Sequence, residues 1–121
     1  MTNYALLRMF SRMRIDAQPS NTIEDALNHL ERIRFDVVFS DVRLGGGQSG
    51  LEFMEQVALR VKNELIQPVT IIAMSCIMAP HDVERCKMAG AHATLTKPFG
   101  SVDVLNLFAV LGLESSETHT G

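Results

Sequence analysis

Cysteine is scarce, basic residues are in deficit, and no long apolar run is present. Two cysteines, Cys76 and Cys86, in 121 residues cannot make a disulfide framework. Eleven Lys and Arg against fourteen Asp and Glu give a formal net charge of -3, so no basic surplus draws the chain to phosphate backbones. A direct nucleic-acid partner is not expected. The apolar runs fall short of the roughly 18 to 20 residues that span a bilayer, and Met1-Thr2-Asn3-Tyr4 carries no charged and apolar leader. The expectation is a cytoplasmic protein with free thiols and no membrane partner.

What is there suits a globular domain: 46% hydrophobic and 21% charged residues. A chain of this length can bury roughly two-thirds of its unfolded surface, enough for a core without metal or disulfides. Neither repeat nor linker interrupts it. Residues 3–113 are expected to form one domain, with 114–121 as a polar tail.

Hydrophobic spacing supplies the elements. Leu6, Met9, Phe10 and Met13 mark a helix over 3–14 with a solvated basic face, and 15–19 is at best a weak edge strand because Pro19 lacks a donor. Asn21 stands three residues before Glu24 as a cap would, opening a helix to Arg34 through Ile23, Ala26, Leu27, Leu30 and Ile33. Residues 35–40 read as a buried strand ending at Asp41. Beyond a glycine-rich loop, Leu51, Met54, Val57, Ala58, Val61 and Leu65 form a second helical stripe.

Val69 to Met74 is a second buried strand ending at Ser75. A helix from Pro80 or His81 runs through Val83, Cys86 and Met88 to a left-handed stop at Gly90. Residues 91–96 make a short strand, Pro98 breaks it, and Ser101 caps a last helix carrying Val102, Leu105, Phe108 and Leu111 before Gly112. Strands alternating with amphipathic helices imply a parallel sheet covered on both faces, whose sites lie at the carboxyl ends of strands. Asp41, Ser75 and Lys97 each stand at such an end.

A carboxylate, a hydroxyl and an ammonium on one rim suit phosphoryl transfer. Asp41 would be the nucleophile, Ser75 a donor to a phosphoryl oxygen and Lys97 the counter-charge. The plainer alternative is a strand-end ion pair between Asp41 and Lys97, with Ser75 capping the next turn. Position alone does not choose between them.

The residues that flank these positions resemble a known family. Phe35-Asp-Val-Val-Phe-Ser-Asp41, Gly50 opening a helix, Val69-Thr-Ile-Ile-Ala-Met-Ser75, Gly90-Ala91 and Thr96-Lys97-Pro98-Phe99 together are similar to the receiver domain of two-component response regulators. The resemblance implies a flavodoxin-like α/β fold with a parallel sheet. It implies Asp41 as phosphoacceptor, Ser75 as switch hydroxyl and Lys97 as phosphate partner, with the bond to Pro98 a candidate cis peptide. The donor would be a phosphohistidine on a histidine kinase or phosphotransfer protein. Such a module is no enzyme beyond its own phosphorylation and dephosphorylation.

Four departures accompany the resemblance. Receivers open with a central strand ending in an acidic pair that helps hold magnesium, whereas this sequence starts inside what resembles the following helix. The expectation is therefore a receiver fold truncated at its N-terminus, lacking both strand and acids. A strand from a second copy in a homodimer, residues 15–18 laid against 35–40, or an upstream segment would have to fill the gap. Mg2+ is expected from the family, held by Asp41 and the backbone carbonyl of Arg43, yet one carboxylate beside Lys97 makes binding weak or absent. Thr94 replaces the aromatic residue that often reports phosphorylation. The loop after Asp41 lacks the usual proline and is one residue longer. A second function follows: a pseudo-receiver that binds kinases or other receivers without taking phosphate.

Other motifs are weaker. Residues 45–50 fit G-x-G-x-x-G, but four residues intervene after the strand and the next strand ends without the acid a ribose needs. Cys76 and His81 invite comparison with a thiolate and its base, although five residues across a turn do not bring them together. His29, His92 and His119 show no metal spacing, and the methionines read mainly as core.

Overall fold

The computed structural model describes residues 22–42 and 49–113, with 18 and 20. Thr22–Pro98 form one compact unit, and described residues 99–113 belong to a second. The expected helix over 3–14, nearly all of the weak strand over 15–19, whatever fills the place of a first strand, the loop 43–48 with Arg43, and the tail lie outside the described residues.

Helix α1 (Ile23–Arg32) starts one residue beyond the expected cap. Thr22 holds the N-cap, its Oγ1 accepting the Asp25 N–H at 3.0 Å. A threonine hydroxyl in extended geometry satisfies one of the four orphan donors of the first turn. Glu24 and Asp25 in the first turn, with His29 and Arg32 in the last, also complement the helix dipole. Leu27 and Leu30 are buried as the stripe requires. Ile33, in register with that stripe by sequence, lies past the helix in extended backbone and is exposed.

Strands β1 (Val37–Asp41), β2 (Thr70–Ser75) and β3 (Ala93–Thr96) form a parallel sheet in that order, with α2 (Ser49–Lys62) and α3 (Pro80–Met88) as the crossovers. Val37 pairs with Thr70 and Asp41 with Met74, while Ile72 pairs with Ala93 and Ser75 with Thr96. Ile71, Ile72, Ala73 and Met74 are all buried, which explains their unbroken apolar sequence: β2 is covered on both faces. Val37, Val38 and Phe39 of β1 are only half-buried, short of the burial expected there. The core of the unit gathers Leu27, Leu30, Met54, Val57, Ile71 and Cys86, with Met54, Val57 and Cys86 fully enclosed.

Helix endings account for most of the shifted boundaries. After α2, the Glu64 N–H donates to the Val61 carbonyl at 3.1 Å and the Leu65 N–H to that of Arg60 at 2.8 Å, with Glu64 at φ +62. This is a Schellman ending, so Leu65 leaves the stripe and is exposed while Ile66 is buried in its stead. Gly90 at φ +116 ends α3 in the same way, the Ala91 N–H reaching the Cys86 carbonyl at 2.9 Å. Gly112 at φ +75 ends the last helix, α4 (Ser101–Leu111), likewise. Glu64 does with a side chain what the two glycines do without one. Glu64→Gly is expected to stabilise the protein by about 0.5–1 kcal/mol, the left-handed strain outweighing the entropy of a freer unfolded chain. A higher urea midpoint would show it.

Three further expectations are corrected. Met88 is 85% exposed; α3 instead buries Asp82 and Cys86, because the Asp82 Oδ2 accepts the Ala79 N–H at 3.0 Å and turns inward to cap the helix. Strand β3 begins at Ala93 rather than 91, since His92 is engaged in a clamp: its N–H donates to the Ile71 carbonyl at 2.8 Å and its Nδ1 accepts the Ile71 N–H at 2.9 Å. In α4 the N-cap is Gly100, whose N–H donates to Asp103 Oδ2 at 2.8 Å, and the buried side chains are Val104 and Phe108. Val102 and Leu105 are exposed; in so apolar a helix two stripes compete and composition does not choose between them.

Candidate functional site

Parallel strands put all their carboxyl ends on one edge, and here that edge carries the three polar residues singled out above. Asp41 closes β1, Ser75 closes the central strand β2, and Lys97 follows the last residue of β3. Two backbone bonds lock the edge in register: the Val42 N–H donates to the Met74 carbonyl at 2.7 Å, and the Lys97 N–H to the Ser75 carbonyl at 2.8 Å. The Lys97–Pro98 bond is cis.

Lys97 reaches over the end of β2 to Asp41, placing Nζ 2.8 Å from Oδ2. The carboxylate side chain is 54% exposed and the lysine 19%, so the ammonium is partly sheltered while the carboxylate faces solvent. At that exposure the pair contributes about 1 kcal/mol or less to stability, too little to explain the geometry as a fold requirement. Ser75 is buried, and its Oγ accepts the Ile77 N–H at 3.3 Å. That bond caps the turn after β2, and because the hydroxyl accepts there, its proton is left to donate elsewhere. The structure thus joins Asp41 to Lys97 directly and holds Ser75 on the strand between them.

The approach of α2 to this edge depends on a glycine. A Cβ on Gly50 would stand 2.7 Å from the Asp41 carbonyl oxygen and 2.8 Å from Val42 Cα. Only a residue without a side chain lets the first turn of α2 lie this close to the end of β1. The sequence marked Gly50 as opening a helix but gave no sign of this contact.

Among the described residues no group of three or more His, Cys, Asp or Glu is placed to hold a metal. Mg2+ is ordinarily held through one or two carboxylates together with phosphate oxygens. Asp41 is here already paired with Lys97.

The remaining candidates separate. Cys76 is exposed and Cys86 buried. His81 Nε2 lies 3.3 Å from Asp82 Oδ1, so it is engaged on its own helix. Burial, reinforced by the Asp82 carboxylate and opposed by Arg85, pushes the Cys86 thiol above its ordinary value, which keeps it protonated and inert at neutral pH. No helix among the described residues is long and apolar enough to cross a membrane.

Comparison with known proteins agrees with this fold. The sequence matches the model of the response regulator receiver domain over residues 4–109. The chain belongs to the receiver domain family. It is a receiver domain of two-component signalling, with the α/β fold and parallel sheet of that family. No curated protein matches the sequence. Among solved structures, the chemotaxis response regulator CheY4 of Vibrio cholerae superposes with a TM-score of 0.72 at 22% identity, over 90% of this receiver and 91% of that chain. The receiver domain of a sensor histidine kinase from Pseudomonas aeruginosa, with magnesium coordinated in its active-site cleft, gives 0.71 at 22% identity over 88% and 84%. The receiver domain of a Saccharomyces cerevisiae response regulator, co-crystallised with its upstream histidine phosphotransfer protein, gives 0.71 at 21% identity over 85% and 74%.

Proposed function

We propose that this receiver takes a phosphoryl group on Asp41 from a phosphohistidine of a histidine kinase or phosphotransfer protein, and signals through protein contacts. The single observation carrying this reading is the Lys97 Nζ to Asp41 Oδ2 contact of 2.8 Å across the end of β2. It sets a cation on the carboxylate where charge develops during phosphoryl transfer. An Asp41 carboxylate oxygen attacks the phosphorus, the phosphorus–nitrogen bond breaks, and its electron pair returns to the donor imidazole. The product is an aspartyl phosphate. Lys97 moves from Oδ2 to a phosphoryl oxygen, and the Ser75 hydroxyl donates to another. Residues 3–113 act as the signalling unit, with 114–121 as its tail. The yeast receiver crystallised with its phosphotransfer protein supports this class of partner.

A second reading has its own support. The Asp41 carboxylate is already paired with Lys97, and among the described residues no group of three or more His, Cys, Asp or Glu is placed to hold a metal beside it. A pseudo-receiver that docks on kinases or other receivers without modification would look the same.

The full chain, incubated with a small phosphodonor and weighed intact, decides between them. Gain of one phosphoryl group, abolished in Asp41→Asn, is the expected result. No gain in the wild-type chain would establish the pseudo-receiver instead.

A further inference from the structure

Two histidines of the described residues lie beside acids. His29 Nε2 is 3.4 Å from Asp25 and His81 Nε2 is 3.3 Å from Asp82, contacts that a protonated ring keeps because both of its nitrogens then donate. His92 is used the other way round. The N–H of buried Ile71 donates to its Nδ1 at 2.9 Å, so that nitrogen presents a lone pair and the contact belongs to a neutral ring with its proton on Nε2. His92 is also exposed, and solvent protons reach it.

The local course of the chain explains why a side chain is recruited. Ile71 directs both of its polar groups to His92. In a regular parallel ladder both would meet backbone. Ala91 still belongs to the ending of α3, its N–H on the Cys86 carbonyl at 2.9 Å, and the chain enters the sheet only at His92. There the backbone N–H serves the Ile71 carbonyl at 2.8 Å, and the imidazole stands in for the carbonyl that the Ile71 N–H would otherwise meet. Strand β3 is four residues long and, among the described residues, is paired on one side only, with β2. This clamp fastens its start, and the Lys97 N–H on the Ser75 carbonyl fastens its end.

We infer that His92 is a positioning residue for Lys97: the neutral imidazole fastens the start of β3, protonation of Nδ1 releases it, and acid thereby loosens the strand whose end carries the lysine onto Asp41. Lys97 is held in this way whether or not Asp41 takes phosphate. The sign follows from the acceptor. An imidazolium has no lone pair, whereas the backbone half of the clamp does not titrate. Histidine ordinarily changes charge at about pH 6.5, so the clamp is complete above that value and its side-chain half is lost on acidification.

The neighbours offer no compensating acid. Packed against β3 are β2, which has no ionisable side chain, and α3, which carries His81, Asp82, Glu84, Arg85, Cys86 and Lys87. Asp82 is turned to the Ala79 N–H, and Glu84 is exposed. Beyond β2, Asp41 is held by Lys97 at the carboxyl end of β1, and Asp36 precedes that strand. Among the described residues no carboxylate forms an ion pair with His92.

Amide protection factors measured on the full chain at about pH 7.5 and about pH 5 test this. In the wild type the Ile71 amide is expected to lose about tenfold in protection at the lower pH, the scale of one hydrogen bond, and the Lys97 amide to lose protection with it. His92→Asn, whose carboxamide oxygen accepts without titrating, and His92→Ala, which has no acceptor, are each expected to change by less than about twofold. Nitrogen chemical shifts of the wild-type ring at the higher pH are expected to place its proton on Nε2. Wild-type protection of Ile71 that ignores pH, an equal fall in both variants, or a proton on Nδ1 at the higher pH would overturn the inference. Loss of protection at Ile71 with Lys97 unmoved would overturn the positioning role.

Discussion

Met54→Ala is expected to lower the unfolding free energy by about 2–5 kcal/mol, the range for truncating a long apolar side chain in a core. Met54 is completely buried in α2 within the cluster that includes Leu27, Leu30, Ile71 and Cys86. The end of α3 crosses α2 at the same level: a Cβ on Gly90 would be 3.2 Å from Ala58 Cβ and 3.4 Å from the Met54 carbonyl oxygen. Backbone already in near contact cannot move inward to close the void, so the cost should fall in the upper part of the range. Since whole domains are stable by about 5–15 kcal/mol, that is a large share of the total. Met54→Leu nearly conserves volume and should cost less than about 1.5 kcal/mol. The check is the urea midpoint of both variants at unchanged slope. Equal midpoints would mean that the packing at Met54 is looser than the burial indicates.

Met54 was also legible from sequence, and the reason separates what could be read from what could not. Positions whose burial follows from a single period were found: Leu51, Met54 and Val57 along α2, and the continuous run of β2. The carboxyl-end rule then put Asp41, Ser75 and Lys97 on one edge without any knowledge of register. Where a second interaction overrides the period, reading failed. Asp82 is a carboxylate on the buried side of α3 because it serves the Ala79 N–H, and hydropathy cannot signal a cap acceptor. His92 yields its place in β3 to a clamp on both polar groups of Ile71. In α4, Val102, Leu105 and Val110 are exposed although as apolar as the buried Val104 and Phe108, so residue type alone does not say which stripe is buried.

The site shows the same division. That an acid, a hydroxyl and an amine share an edge follows from topology. That Lys97 closes on Asp41 depends on how far the end of each strand extends past its neighbour, a quantity fixed by the bonds from Val42 to Met74 and from Lys97 to Ser75. No periodicity in the sequence encodes that offset. The Asp41–Lys97 pair was anticipated as the bland alternative to phosphoryl chemistry, but the same contact serves both, since a lysine poised on the carboxylate is also poised for the charge that a phosphoryl group would bring.

Gly50→Ala joins fold to site and is the sharper test of the edge. Inside a helix alanine is favoured over glycine by about 0.8–1.0 kcal/mol, which taken alone predicts a more stable protein. Against it stands the new methyl carbon, 2.7 Å from the Asp41 carbonyl oxygen, 2.8 Å from Val42 Cα and 3.1 Å from Val42 Cγ2. Two of those three atoms belong to backbone and cannot rotate aside. Overpacking of that kind costs about 1–3 kcal/mol, and it should win because relief requires moving the first turn of α2 or the end of β1. Either movement displaces Asp41 from Lys97. The expected outcome is a lower urea midpoint together with shifted amide resonances at Val42 and Lys97 and slower phosphoryl gain at Asp41. Gly100→Ser is the matched control: nothing lies within 4 Å of its Cβ position, and serine is a preferred N-cap, so stability should hold or rise. A Gly50→Ala protein as stable as wild type, with its Asp41 and Lys97 signals unmoved, would show that α2 does not set the position of the carboxylate.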